Sequence, residues 1–232
     1  IAEIMNKRIQ FTAAIFSAVA IFVVFSAVAH SKIVAGKDSL SSVGATGMVV
    51  PDVRRYKIDA GQSNFMVHAY VGGLLSTFGH NHNIEVKDIS GDTEFTDGTV
   101  SPASLHLKIR ADSLTVVDKI SDSDRQTIEK TMREQVLETA KYPEITFNST
   151  KIEATKNSDT QYQAKIWGDL TLHGVTHNVP LNAQLTFDYK TLRARGEFAL
   201  KMSDYSIKAP SVGGGTITVK DTLKFNFNIF SQ

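Results

Sequence analysis

Two histidine pairs are the residues of this sequence best suited to metal chemistry. His80 and His82 are two positions apart, and in an extended chain such side chains point to the same side. Their imidazoles could converge on one small volume, which is the beginning of a metal or haem site. His173 or His177 could supply a third ligand if the loops that carry the two pairs meet. A metal with an open coordination position would bind water or substrate.

A structural role is the alternative interpretation of the same histidines. A His-x-His pair in a loop can form hydrogen bonds at the mouth of a barrel without binding a metal. Glu85 follows His82 by only three residues, which fits the metal motif of the cupins poorly. His173 lies where a strand is expected to turn, and its ring could accept a backbone hydrogen bond there. The sequence leaves both interpretations open.

Other signs of catalysis are weak. The chain of 232 residues has no cysteine, which excludes a thiol nucleophile and a disulfide framework. It has no Gly-x-Ser-x-Gly motif, and Gly213-Gly214-Gly215 lacks the strand–helix setting of a phosphate-binding loop. A formal net charge of +1 gives no electrostatic reason to expect nucleic acid as a partner. We therefore expect a binding protein rather than an enzyme.

Residues 1–29 are predicted to be a signal peptide. Met5 is the expected natural start, so residues 1–4 would precede it. Two basic residues follow, and then a long apolar run that ends in Ala27-Val28-Ala29, the small-x-small pattern that signal peptidase accepts. We expect a periplasmic or secreted protein, with residues 30–53 as a linker. Without cleavage the apolar run could span a bilayer, and this segment would be the chain's contact with a membrane.

From residue 54 onward the sequence predicts a series of short antiparallel strands. Apolar and polar residues alternate, for example in Leu105–Ala111 and Leu223–Ile229, which is typical of half-buried strands. Ser90-Gly91-Asp92 is predicted to turn the chain between two of them. Many short strands separated by Gly, Asn, Asp or Pro favour an antiparallel barrel or a closed sandwich.

One helix is predicted to interrupt the strands. Ser123 begins a Ser-x-x-Gln capping box, which is a signature of a helix start. Apolar residues at helical spacing follow, and Tyr142-Pro143 marks the expected end. Asp118, Asp122 and Asp124 precede or begin this helix, and we expect them to favour its positive N-terminal end.

Two longer motifs show a family resemblance. They are Tyr142-Pro143-Glu144-Ile145-Thr146-Phe147-Asn148-Ser149-Thr150 and Trp167-Gly168-Asp169-Leu170-Thr171-Leu172-His173-Gly174-Val175-Thr176. Tyr56-Lys57-Ile58-Asp59 precedes them, and Ser203-Asp204-Tyr205-Ser206-Ile207 follows. With these segments in this order and spacing, the chain from about Tyr56 to Phe230 resembles the YceI-like family of exported lipocalin-like proteins.

The resemblance implies both a fold and a ligand. The implied fold is all-β, a lipocalin-like antiparallel eight-stranded β-barrel formed by residues 54–232, with one helical insertion near an opening. The implied cavity is apolar and in some members holds a polyisoprenoid such as a polyprenyl quinone or polyprenyl phosphate. We expect a monomer or homodimer that binds a polyisoprenoid or another lipid-like small molecule without a cofactor. The alternative is a metal- or haem-binding barrel centred on His80 and His82, which could be catalytic.

Twelve apolar residues on the predicted strands are expected to face the barrel interior and to contact such a ligand. They are Phe65, Val67, Leu105, Leu107, Ile109, Phe147, Leu170, Leu172, Phe187, Phe225, Phe227 and Ile229. An eight-stranded barrel is wide enough either to be filled by such side chains or to hold one slim ligand. The sequence does not distinguish a filled barrel from a hollow one.

Overall fold

The structure is a computed structural model, and it describes residues 53–96 and 103–232. The predicted signal peptide, the residues expected to precede the natural start, and the predicted linker up to residue 52 lie outside these ranges. Val53, the last residue of that linker, already belongs to the first strand. No helix in the two described ranges is long and apolar enough to cross a membrane.

The described residues form fourteen strands, of which β8 to β11 and β14 are the longest. They are β1 (Val53–Lys57), β2 (Asn64–Ala69), β3 (Val71–Gly72), β4 (His82–Val86), β5 (Ile89–Thr96), β6 (Ala103–Arg110), β7 (Leu114–Val116), β8 (Glu144–Lys156), β9 (Gln161–Leu172), β10 (Val175–Asp188), β11 (Thr191–Lys201), β12 (Ser211–Val212), β13 (Ile217–Val219) and β14 (Thr222–Ser231). All of their pairings are antiparallel.

Eleven of these strands belong to one curled sheet in the order β1-β5-β6-β8-β9-β10-β11-β14-β2-β4-β7. The sheet curls far enough for β1 to meet β14, because Lys57 and Gln232 exchange backbone hydrogen bonds of 2.8 and 2.9 Å. Eight strands run from β1 to β14, and the short strands β2, β4 and β7 extend the sheet beyond β14. The predicted all-β, lipocalin-like barrel with one helical insertion is confirmed.

A second sheet of three short strands, in the order β12-β13-β3, lies at the end of the barrel where β2 leads into β3. The helical insertion is α1 (Asp122–Thr131), which continues into a π-helical turn, Met132–Val136. Met132 and Leu137 are buried in the core, so the predicted apolar stripe of this segment does face the sheet.

The helix begins two residues earlier than the sequence pattern predicts. Ser121 is its N-cap, and the Ser121 hydroxyl accepts a hydrogen bond from the Asp124 backbone amide at 3.1 Å. The Ser121 hydroxyl also donates to the Asp124 carboxylate at 2.7 Å, so the cap is related to the predicted capping box but uses a bond between two side chains. The helix also ends before the predicted Tyr142-Pro143, because Glu138 has a positive φ of 45° and starts a turn.

The predicted turn at Ser90-Gly91-Asp92 is wrong, because these residues lie inside β5. Gly91 is needed there for close approach rather than for a turn. A β-carbon on Gly91 would collide with the His106 carbonyl of the paired strand β6 and lie 3.1 Å from the Ile58 side chain. Ile58 also donates a backbone hydrogen bond of 3.0 Å to the Gly91 carbonyl, so three chain segments converge at this glycine.

The hydrogen bond at the Ser121 N-cap allows a direct test of where the helix begins. Ser121→Ala removes the hydroxyl that accepts from Asp124, and we expect it to lower the free energy of unfolding by about 1 kcal/mol. Ser123→Ala is the matched control, since it lies in the first turn and should change stability by a few tenths of a kcal/mol at most. Urea denaturation followed by circular dichroism measures both. A larger loss for Ser123→Ala than for Ser121→Ala would contradict this assignment.

Candidate ligand-binding cavity

A cavity of about 190 Å³ lies inside the curled sheet. Thirty of the thirty-three described residues in its wall are apolar, and the other three are Thr93, Thr146 and Ser231. None of these described wall residues is charged. Since the strands are antiparallel, alternate residues point inward, and the apolar half of each strand pattern builds the wall.

The cavity is long and narrow. On β10 its wall runs from Val179 to Leu185, and on β9 from Ile166 to Leu172. Six residue steps along a strand correspond to about 20 Å. Val136, Leu137 and Ile207, which come from the helical insertion and the segment after β11, line it at one end. A cavity of this length and small volume suits a slim flexible chain better than a broad ring system.

Eleven of the twelve predicted ligand-contacting residues lie in the cavity wall. They are Phe65, Val67, Leu105, Leu107, Ile109, Phe147, Leu170, Leu172, Phe225, Phe227 and Ile229. Phe187 does not line the cavity. It packs instead among aromatic rings at the other end of the barrel, 4.3 Å from Phe95 and 5.4 Å from Tyr162 between ring centroids.

Two groups stand out among the wall residues that sequence reasoning missed. One group alternates along β10 and continues on β11, and the pattern Val179, Leu181, Ala183, Leu185 was a sufficient signal for it. The other comes from irregular segments, as Met202 and Ile207 do, and no periodic pattern marks those positions.

Four phenylalanine rings narrow the cavity from one side. Phe198 and Phe225 stack with ring centroids 4.5 Å apart, and Phe65 stacks on Phe227 at 6.2 Å. A β-carbon on Gly196 would lie 2.6 Å from the Phe227 ring, so the ring can occupy its observed position only because residue 196 has no side chain. Aromatic rings in this arrangement present flat apolar faces to whatever occupies the space beside them.

His82 is held by a carboxylate at the edge of the barrel. Its Nδ1 donates to Asp118 at 2.9 Å, and the Asn83 backbone and side-chain amides also donate to Asp118, at 3.1 and 2.9 Å. Burial by itself raises the pKa of the Asp118 carboxyl, but the hydrogen bonds and the charge of His82 lower it more, so the net pKa lies below its ordinary value. Of the three aspartates expected at the helix N-terminus, Asp122 and Asp124 lie in the first turn, whereas Asp118 lies before the N-cap Ser121 and binds His82.

The structure does not bring the predicted metal ligands together as a set of three. His80 is exposed, and within the described residues no group of three or more His, Asp or Glu side chains could hold a metal ion. His173 and His177 are engaged with the backbone of the Met202–Tyr205 turn that follows β11. The metal or haem site therefore stays a prediction that would rest on His80 and His82 alone.

His173 joins three segments at the helical end of the barrel. Its Nδ1 donates to the Tyr205 carbonyl at 3.2 Å, its Nε2 lies 2.7 Å from Glu138 Oε2, and its ring packs on Tyr142. His173 and Gly174 both have positive φ, 52° and 75°, as a tight turn between β9 and β10 requires. A β-carbon on Gly174 would lie 2.5 Å from the Tyr142 ring. His173 does bond to the backbone, but its ring donates to a carbonyl rather than accepting a bond as predicted.

Tyr205 lies beneath this junction. Its side chain is almost fully buried, its ring meets His177 edge to face, and its hydroxyl has no hydrogen-bond partner among the described residues. Burial raises the pKa of the Tyr205 hydroxyl, with a smaller contribution from the charge of Asp204.

The Asp118 interaction predicts a pH dependence of stability. Because the folded-state pKa lies below the ordinary value of 3.8, the carboxylate contributes stability above about pH 4 and loses it as the pH falls through the folded-state pKa. Asp118→Asn should destabilise the protein by about 1–3 kcal/mol at neutral pH, and this difference from wild type should shrink in acid. Urea denaturation between neutral and acidic pH measures it. Asp112→Asn, on an exposed carboxylate, is the control, and an undiminished difference for Asp118→Asn in acid would argue against the account.

The junction at His173 predicts a structural role for that histidine. His173→Ala removes a ring whose side chain is 9% exposed together with both of its hydrogen bonds, and should cost about 2–4 kcal/mol of stability. His106→Ala is the control, because His106 is exposed and its ring bonds only to Asn148 among the described residues. Thermal unfolding compares the two. Equal small effects would show that the His173 contacts do not hold the turn.

Comparison with known proteins places these features in a family. A YceI-like domain model matches residues 56–230. The protein YceI of Escherichia coli O157:H7 is 32% identical over 162 residues, which are 66% of this chain and 76% of the relative. A UPF0312 protein of Pseudomonas syringae pv. tomato is 27% identical over 168 residues, 68% of this chain and 80% of the relative.

Two solved structures share the fold at 15% sequence identity. BcnA of Burkholderia cenocepacia superposes with a TM-score of 0.60, covering 75% of this chain and 99% of that one. A polyisoprenoid binding domain from Saccharophagus degradans, implicated in plant cell wall breakdown, has a TM-score of 0.54 and covers 76% and 97%. The matched residues span nearly all of the barrel, and the chain belongs to the YceI-like family.

Proposed function

We propose that this protein binds a polyisoprenoid or a similar slim apolar molecule inside its barrel, outside the cytoplasm, and performs no chemistry on it. The observation that carries the proposal is the cavity wall of thirty apolar residues and three hydroxyl-bearing ones. The polyisoprenoid binding of the similar Saccharophagus degradans domain supports the choice of ligand class. The predicted signal peptide supports export.

The chemistry of the wall fits a hydrocarbon chain. A polyisoprenoid forms no hydrogen bonds along its tail, and the wall has few polar groups that would need a hydrogen-bond partner from the ligand. Thr93, one of the three polar residues of the wall, already donates to the Ser104 carbonyl. Burying such a tail gains on the order of 25 cal/mol per Å² of apolar surface removed from water. Acid–base or nucleophilic catalysis would need polar or charged groups beside the ligand, and the wall has no charged side chain.

A cavity-filling variant tests this proposal. Leu107 points inward and remains partly accessible because it borders the cavity. Leu107→Trp should therefore occupy the ligand's space and weaken binding of geranylgeraniol, a linear isoprenoid alcohol, by about tenfold or more. Native mass spectrometry of the delipidated protein titrated with geranylgeraniol measures the occupancy. His106→Trp, one residue away on the outer face, is the matched control and should bind as wild type does.

The outcome separates binding in the cavity from binding elsewhere. Equal occupancy of Leu107→Trp and wild type would contradict a ligand inside the barrel. Folding of both variants is checked by thermal unfolding, and the His106→Trp result shows whether a tryptophan on this strand is tolerated.

A metal ion at His80 and His82 is the second candidate, and one contact favours it. Asp118 fixes the Nδ1 of His82, while its Nε2 has no hydrogen-bond partner within the described residues. Carboxylates orient metal-binding histidines in this way. Metal analysis of wild type and of the His80→Ala, His82→Ala double variant decides this candidate. A stoichiometric metal lost in the variant supports it, and the absence of metal from wild type excludes it.

A further inference from the structure

The three-stranded sheet exposes apolar side chains at one end of the barrel. We call residues 71–79 and 208–220, which contain β3, β12 and β13, the flap. Leu74 is 93% exposed, Val212 63% and Leu75 44%, so the flap holds half of the six exposed large hydrophobic residues of the described chain. Leu75 donates a backbone hydrogen bond of 2.9 Å to Thr216, which holds the two segments of the flap together.

The flap is also positively charged. Its two segments contain Lys208 and Lys220 and no Asp or Glu. Both lysines are exposed, and the Lys220 stem lies over the flap backbone, 3.2 Å from where a β-carbon on Gly72 would be. Asp221 lies just beyond the flap, and its carboxylate is bound by a residue outside the flap. It accepts hydrogen bonds from the Ser203 amide and hydroxyl at 2.8 and 2.7 Å. Exposed apolar groups beside lysines suit an anionic lipid surface.

The inner side of the flap reaches the wall of the cavity. Ala209 and Val219 pack on the core cluster that includes the wall residues Met202 and Ile207. Val219 donates a backbone hydrogen bond of 3.0 Å to the Pro210 carbonyl, which fastens the returning strand to the segment after Ile207. Exposed apolar groups, lysines and the end of the cavity therefore lie within one structural unit.

We propose that the flap docks on the surface of an anionic lipid bilayer, so that the apolar ligand passes between bilayer and barrel at this end. The second part rests on the proposed function, because a molecule insoluble in water has to be exchanged with a lipid phase. The first part stands without it. Leu74, Leu75 and Val212 would enter the headgroup region, and Lys208 and Lys220 would face the anionic lipids.

Vesicle co-sedimentation of the delipidated full chain tests the docking. The vesicles are phosphatidylglycerol mixed with phosphatidylcholine, or phosphatidylcholine alone. Wild type should sediment with the mixed vesicles, and the triple variant Leu74→Ser, Leu75→Ser, Val212→Ser should lower the partition coefficient by about tenfold or more. Tyr189→Ser is the matched control, since Tyr189 is 90% exposed in the turn after β10, at the opposite end of the barrel, and should bind as wild type does.

A charge variant tests the preference for anionic lipid. Lys208→Gln with Lys220→Gln should remove most of the difference between mixed and phosphatidylcholine vesicles, and Lys190→Gln, beside Tyr189, should keep it. Failure of wild type to bind mixed vesicles, or binding of the triple variant at the wild-type level, would overturn the docking proposal. Unchanged thermal unfolding of the triple variant shows that a loss of binding is not a loss of fold.

Ligand occupancy separates this proposal from the proposed function. Native mass spectrometry of the same preparations with geranylgeraniol reports the cavity alone. Vesicle binding without any isoprenoid binding would overturn the proposed function and leave the docking surface standing. Isoprenoid binding with no vesicle binding would do the reverse.

Discussion

The inward burial of apolar side chains by one curled antiparallel sheet is the constraint on which the rest of this structure depends. Each strand must present its apolar half to the same interior, because the outer half faces water. The sheet curls until the backbones of Lys57 and Gln232 bond to each other, which joins the first strand to the last. The interior that results is apolar along its length and keeps a narrow space of about 190 Å³.

Polar contacts at one end hold the insertion that borders this space. On α1, Arg125 donates to the backbone carbonyls of Val116 and Asp118, and Glu129 accepts from the Val116 amide at 3.0 Å. Asp118 in turn binds His82 on β4. These contacts connect the helix to the short strand β7 and to the start of β4 without placing any charge in the cavity wall. Three of the four histidines considered as metal ligands bond to carboxylates or backbone carbonyls, namely His82, His173 and His177.

Much of the fold and of the cavity wall could be predicted because the strand period is local. The alternation around Leu105, Leu107 and Ile109 is enough to place those residues inside. The resemblance to the YceI-like family then predicts that the strands close into a barrel. Contacts between distant segments could not be predicted. Asp118 and His82 are 36 residues apart, and the local sequence of Asp118 fits a helix N-terminus equally well. Ser121 and Ser123 are both residue types that cap helices, and in the structure Ser121 is the N-cap.

The position of Gly91 and the volume of the cavity are two further features that could not be predicted from the sequence. Gly91 in Ser-Gly-Asp is typical of a turn, yet it lies within a strand because three backbone segments crowd that position. Whether inward-facing side chains fill a barrel depends on how rings such as Phe198 and Phe225 stack, since the same residues in other rotamers would occupy different space. The hollow interior is therefore a property of the packed structure rather than of the strand pattern.

The most direct test of a ligand-binding barrel is native mass spectrometry of the full chain purified without delipidation from cells that produce it. We expect one bound species of several hundred daltons, on the order of the mass of a lipid with a long apolar tail, that leaves the protein on denaturation and partitions into organic solvent. A chain whose native mass equals its sequence mass, and which stays unliganded when mixed with extracted membrane lipids, would contradict ligand binding inside the barrel.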